Sequence, residues 1–239
     1  MKHLRGLPLF AGIALLGALA PASASAAVVT DASNTTSITV GDLAHASPDP
    51  SDITVSGVKG TITDVNVFLT GINQTNPDDF EILLQGPFGQ TTSLMNDAGG
   101  TGDLSPTDIS FNDQAGGKIP DAGPISAQGY QPSDYAAFIG GGPGLEPFFS
   151  PAPSPPYGLA LSNYIGTSPN GAWHLYVDDD VFNTFTGGIA GGWSLSITST
   201  DPPPTSTSTT PTNTPTTPKK KCKKKKRAVS AKKCKKKKK

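Results

Sequence analysis

Apolar and polar residues alternate with period two in several short runs. Val65, Val67 and Leu69 alternate with Asn66 and Phe68; Phe80, Ile82 and Leu84 with Glu81 and Leu83; Trp173, Leu175 and Val177 with His174 and Tyr176; Trp193, Leu195 and Ile197 with Ser194 and Ser196. Successive side chains of a strand point to opposite faces, so each run predicts a strand with one buried face. Ser37–Val40, Ile53–Ser56, Thr91–Met95 and Thr107–Phe111 are shorter candidates. Turn signals separate the runs: Gly71-Ile72-Asn73, Gly86-Pro87-Phe88-Gly89, Asn96-Asp97-Ala98-Gly99-Gly100, Pro169-Asn170-Gly171 and Gly187-Gly188. About eight short strands predict an all-β fold, a β-sandwich or jelly roll with its core between two sheets. Between Asn112 and Tyr164 the alternation fails. The aromatics of that stretch, including Tyr130, Tyr135, Phe138, Phe148, Phe149 and Tyr157, are expected to pin it over one end of the sandwich.

Composition agrees with this class. The 239 residues include 27 Gly and 23 Pro, with 16% charged residues, which disfavours a helical bundle or an α/β enzyme. The formal net charge of zero hides a segregation. Val28 to Thr200 carries 18 acids and two bases, a net of −16, whereas the last 21 residues carry +15.

The two ends are not part of the sandwich. Lys2 and Arg5 precede a short apolar run, Leu7 to Leu19, and Ala24-Ser25-Ala26 fits a small-x-small cleavage site. Residues 1–26 are therefore expected to be an export signal, the run being too short for a membrane span of ~20 residues. The mature chain is expected outside the cytoplasm. Residues 201–218, rich in Thr and Pro, are expected to be a disordered linker, and residues 219–239 a solvated basic tail. Anionic cell-surface or wall polymers are its natural partners; no specific nucleic acid is predicted. The only cysteines, Cys222 and Cys234, lie in this tail, where a disulfide, an intermolecular link or free thiols are all open.

The run Asp79-Phe80-Glu81-Ile82-Leu83-Leu84-Gln85-Gly86-Pro87-Phe88-Gly89-Gln90, followed by Leu94-Met95-Asn96-Asp97-Ala98-Gly99-Gly100, resembles the P domain (P/Homo B domain), the accessory β jelly roll of subtilisin-like proprotein convertases. Gly171-Ala172-Trp173-His174-Leu175-Tyr176-Val177-Asp178-Asp179, then Gly188-Ile189 and Gly192-Trp193-Ser194-Leu195-Ser196-Ile197, is similar to that family's G-x-W-x-L-x-V-x-D…W-x-L-x-I pattern. Gly60 to Val67 resembles its first long strand. The resemblance runs from about Ser37 to Thr198. It implies a jelly roll and descent from a module that stabilises and regulates a serine endopeptidase.

No catalytic residues are assigned. A subtilisin-type site needs Asp, His and Ser on a domain of its own, and beyond His3 the chain has only His45 and His174. Gly166-Thr167-Ser168 continues with Pro169 and reads as a turn. The excess acid points instead to calcium, which takes hard oxygen ligands from loops. Candidate ligands are Asp78 and Asp79, Asp97 in its Gly-rich turn, and Asp178, Asp179 and Asp180. P domains in some convertases bind calcium, so the resemblance supports such a site. The competing role for each Asp is to cap a turn through backbone N–H groups. Three functions remain in play: an exported non-catalytic interaction module held on anionic surfaces by its tail, an accessory domain of a separate subtilisin-like protease, and a carbohydrate-binding jelly roll. The last needs an aromatic platform from Tyr130, Tyr135 or Tyr157, since alternation turns both tryptophans inward.

Overall fold

The structure is a computed structural model that describes residues 26–136, 143–182 and 186–201. The expected signal lies outside these residues except for Ala26, as do the linker beyond Asp201 and the tail with Cys222 and Cys234. The strands are β1 (Ala27–Asn34), β2 (Ile38–Val40), β3 (Ala44–His45), β4 (Ser51–Val55), β5 (Thr61–Gln74), β6 (Phe80–Gln85), β7 (Thr91–Asn96), β8 (Leu104–Phe111), β9 (Gly129–Tyr130), β10 (Ser133–Asp134), β11 (Gly171–Asp179), β12 (Gly187–Ile189) and β13 (Trp193–Thr200). No helix among the described residues is long and apolar enough to cross a membrane.

The strands form two mixed sheets. One runs β1-β13-β5-β12-β2, with β8 also on β5 and β9 on β8; the other runs β10-β7-β6-β11-β3, with β4 also on β11. The all-β reading therefore holds, with more strands than the eight alternating runs. The inward positions are those the alternation marks. Val65, Val67 and Leu69 on β5, Ile82 and Leu84 on β6, Leu175 and Val177 on β11, and Leu195 and Ile197 on β13 are all buried in one core. Trp173 and Trp193 are fully buried, each with its indole N–H satisfied: Trp173 Nε1 donates to Pro169 O at 3.0 Å, Trp193 Nε1 to Ser51 Oγ at 2.9 Å.

Two expected turns are strand instead. Gly71-Ile72-Asn73 lies inside β5, where pairing with β8 shifts register between Leu69 and Ile72 and again before Gln74. Gly71 sits at φ +67°, so it supplies the backbone that an irregularity of this kind needs. Gly187-Gly188 belongs to β12, which pairs with β5 on one side and β2 on the other. A Cβ on Gly188 would stand 2.3 Å from Ile38 O, so only glycine lets the three strands approach.

The irregular stretch does pack through its aromatics, but over a sheet face as well as into the core. Phe148 and Tyr157 cluster with Leu83 of β6 and Tyr176 of β11 on the outer face of the second sheet. Tyr130 and Tyr164 join the main core, and Tyr135 packs against it. Phe138 lies outside the described residues. Tyr130 and Tyr157 are buried and Tyr135 partly so, which removes the aromatic platform that the carbohydrate reading required.

Candidate metal centre

On β6, Phe80, Ile82 and Leu84 face the core, so Glu81 and Leu83 take the outer face. That face is covered by the segment carrying Phe148 and Tyr157, and Glu81 is only 1% exposed. Across the β6–β11 ladder Glu81 lies opposite Asp178. The chain leaves β11 at Asp179, and Asp180 N donates to Asp79 O at 3.3 Å. Asp97 follows β7 at φ +47°, a left-handed conformation that Asp tolerates better than most residues.

These elements bring the carboxylates of Glu81, Asp97 and Asp180 together, with one oxygen from each within 4.8 Å of the others. Glu81 Oε1 and Asp180 Oδ1 are buried and accept no hydrogen bond. Between described residues the ion pairs involve histidines, His45 with Asp49 and His174 with Asp52. Buried carboxylates without a cation or donor are costly. Burial first, then Asp180, Glu146, Asp178 and Asp97, push the Glu81 carboxyl up to about 10. Burial and the neighbouring acids raise Asp97 to about 6 and Asp180 to about 6. Asp178 is raised to about 7 by burial, against a hydrogen bond from Phe149 N at 2.6 Å.

The six aspartates singled out from the sequence divide in space. Asp97 and Asp180 enter the trio. Asp178 is the cross-strand neighbour of Glu81, with Oδ1 buried and without a hydrogen bond. The Asp179 carboxylate is taken up by Leu43 N at 3.1 Å and Gln74 Nε2 at 2.9 Å. Asp79 accepts from Asn76 Nδ2, and Asp78 is held by its N–H on Gly100 O at 3.3 Å. Burial and then Asp79 and Asp121 raise the Asp78 carboxyl. Glu81 was missed, because an outward position between inward Phe80 and Ile82 reads as solvent-facing. The histidines do not approach a serine nucleophile through any hydrogen bond. His174 Nδ1 contacts Asp52 Oδ1 at 2.6 Å, and Ser168 Oγ accepts from Asn170 N at 3.3 Å.

No family model matches the chain, and no curated protein does either. Among solved structures, the chain is similar to the serine protease of Aeromonas sobria in complex with its chaperone. The identity is 14% and the TM-score 0.36, over 77% of this chain and 28% of that one. The serine protease of Aeromonas sobria on its own gives 16% identity and a TM-score of 0.35, over 76% of this chain and 28% of that one. The chain thus spans under a third of these proteins, and a likeness of this degree fixes no family.

Proposed function

We propose that this protein is an exported, non-catalytic P-domain-like module whose sandwich is stabilised by calcium at Glu81, Asp97 and Asp180, and whose Lys-rich tail holds it on anionic cell-surface polymers. The observation that carries the calcium reading is the buried trio itself. Oxygens bound to one calcium lie about 2.3–2.6 Å from it, hence at most ~5 Å from one another. The 4.8 Å limit of the trio fits that sphere. Glu81, fully buried with Oε1 unpartnered, supplies an acceptor that nothing else in the fold satisfies. Bound calcium supplies positive charge that offsets the mutual repulsion of the trio, Glu146 and Asp178.

The test is thermal unfolding of the full chain in EDTA and across a calcium titration. A ligand that binds only the native state raises the midpoint with its concentration. The expected result is a rise of several degrees, lost in Glu81→Gln and in Asp97→Asn. An unchanged midpoint up to ~10 mM calcium, above typical extracellular affinities, overturns the reading. For the tail, salt-sensitive retention on an anionic polysaccharide is expected, and its persistence after removal of residues 219–239 excludes the role.

The motif resemblance supports a second reading, in which the module acts with a separate subtilisin-like serine endopeptidase. Both motif tryptophans serve as buried core anchors, the structural part such motifs would play in a jelly roll. Altered activity or lifetime of a purified subtilisin-like protease upon mixing would favour this reading.

A further inference from the structure

The end of the sandwich that carries the trio also carries a cluster of exposed apolar side chains. Phe182 is 77% exposed, more than any other large apolar residue among the described ones. Leu43 is 47% exposed and Val181 41%. Topology brings the three to one place. Ala44 of β3 pairs with Asp179 of β11, and Leu43 N donates to Asp179 Oδ1 at 3.1 Å. Leu43 therefore precedes that antiparallel pair where Asp180, Val181 and Phe182 follow it, and Asp180 is a member of the trio. Leu43 has φ +47°, a left-handed conformation that suits glycine or asparagine and is an outlier for a bulky side chain. The Asp179 contact fixes Leu43 there, yet its side chain gains little burial in return. Packing within the fold does not account for these three residues, and exposed apolar clusters mark contact sites.

We propose that this tip is a calcium-dependent lipid contact: with calcium at the trio, Leu43, Val181 and Phe182 enter the interface of an anionic bilayer. The proposal rests on the calcium reading above. Charge separates the two states. Val28 to Thr200 carries a net of −16, and Asp97 and Asp180 stand at the tip itself, so the ion-free domain is repelled by anionic headgroups. Calcium offsets that repulsion. It takes about six to eight oxygens, more than the trio supplies. Asp97 and Asp180 are only partly buried, which leaves that side of the ion open to lipid phosphate or carboxylate oxygens. A weak apolar contact holds a bilayer only with a second attraction, and the +15 tail provides one toward the same headgroups. Shape favours lipid over a protein. A stable protein interface buries on the order of 1,200 Å² or more, whereas a bilayer interface accepts a few apolar side chains beside a charged contact.

Both native tryptophans are fully buried, so Phe182→Trp in the full chain adds a reporter at the tip alone. The variant is mixed with vesicles of equal parts phosphatidylserine and phosphatidylcholine, in EDTA and in millimolar calcium. The tail is expected to bring the chain to these vesicles in either condition, so tryptophan emission, not sedimentation, tests the tip. The expected result is that calcium shifts the emission of the bound chain to shorter wavelength and that brominated phosphatidylcholine quenches it. Chelation reverses both signals. Adding Leu43→Ser and Val181→Ser weakens them and, because both side chains are exposed, keeps the calcium-dependent rise in unfolding midpoint. Vesicle-bound chain whose emission is neither shifted nor quenched in calcium overturns the proposal and leaves the tip to a protein partner. Quenching of equal size in EDTA overturns its calcium dependence. A midpoint that calcium leaves unmoved sinks the trio as well, whereas a raised midpoint without quenching sinks the lipid contact alone.

Discussion

Calcium bound at the trio as proposed would carry a proton signature whose size follows from the burial of Glu81. Without metal at pH 7, a carboxyl at about 10 keeps its proton. Asp97 and Asp180, at about 6, are each roughly one-tenth protonated. Metal ligands must be deprotonated, so binding expels these protons. The sum is slightly over one proton per calcium, nearly all from Glu81. Calcium affinity should therefore rise about tenfold per pH unit between pH 7 and 9 and level off as pH nears the Glu81 value. The assay is titration calorimetry in PIPES and in Tris at matched pH, where the difference in apparent heat reports protons released. Glu81→Gln should raise the metal-free midpoint at pH 7, because folding must load a proton onto Glu81 that the unfolded chain does not hold, and Gln has no such requirement. It should also weaken binding and abolish the buffer-dependent heat. Equal heats in the two buffers, or a Glu81→Gln variant that still releases a full proton, would refute the assignment of Glu81 as a ligand.

In EDTA the unfolding midpoint should rise as pH is lowered from 8 towards 5. Asp97, Asp178 and Asp180 have folded pKa values raised above their usual 3.8, so the unfolded chain ionises first and stability is lost as pH climbs through about 6 to 7. Millimolar calcium should flatten or reverse that slope, and scanning fluorimetry across pH checks both arms. Trp173→Ala removes a fully buried indole and should cost about 3–5 kcal/mol in a urea titration. Gly188→Ala forces a Cβ to 2.3 Å from Ile38 O and should cost about 1–3 kcal/mol or more, read the same way, whereas Gly89→Ala, which meets no neighbour, acts through its backbone φ of +83° alone.

The strands that the sequence disclosed are those with one strictly apolar face, because burial of that face is what writes period two into a chain. β1 was illegible for the converse reason. It pairs along β13 at the sheet edge, and Val28 and Val29 are 51% and 61% exposed. β12 was hidden because close packing between β5 and β2 selects glycine, which otherwise signals a turn. At the candidate metal centre, Asp97 and Asp180 were visible as acids at strand ends. Their convergence on Glu81 was not, since the cover over that outward residue comes from Phe148 and Tyr157, more than sixty positions downstream. Asp49 gave no signal either: a polar loop with two prolines reads as solvated, yet its carboxylate is buried.

The place of β13 bears on when the domain can form. It is the last described strand, yet it lies between β1 and β5, paired residue by residue with both. A chain emerging in order from the ribosome, or from an export channel under the proposed function, would present β5 for well over a hundred residues with that edge bare. Trp193, Leu195 and Ile197 would be missing from the core. The sandwich therefore closes only after nearly the whole domain has emerged, and its contacts are of the long-range kind that makes β folds slow. Until then the waiting strand edges are exposed to pairing with other chains. A ribosome or channel that stalls before Trp193 would release an aggregation-prone fragment rather than a smaller domain.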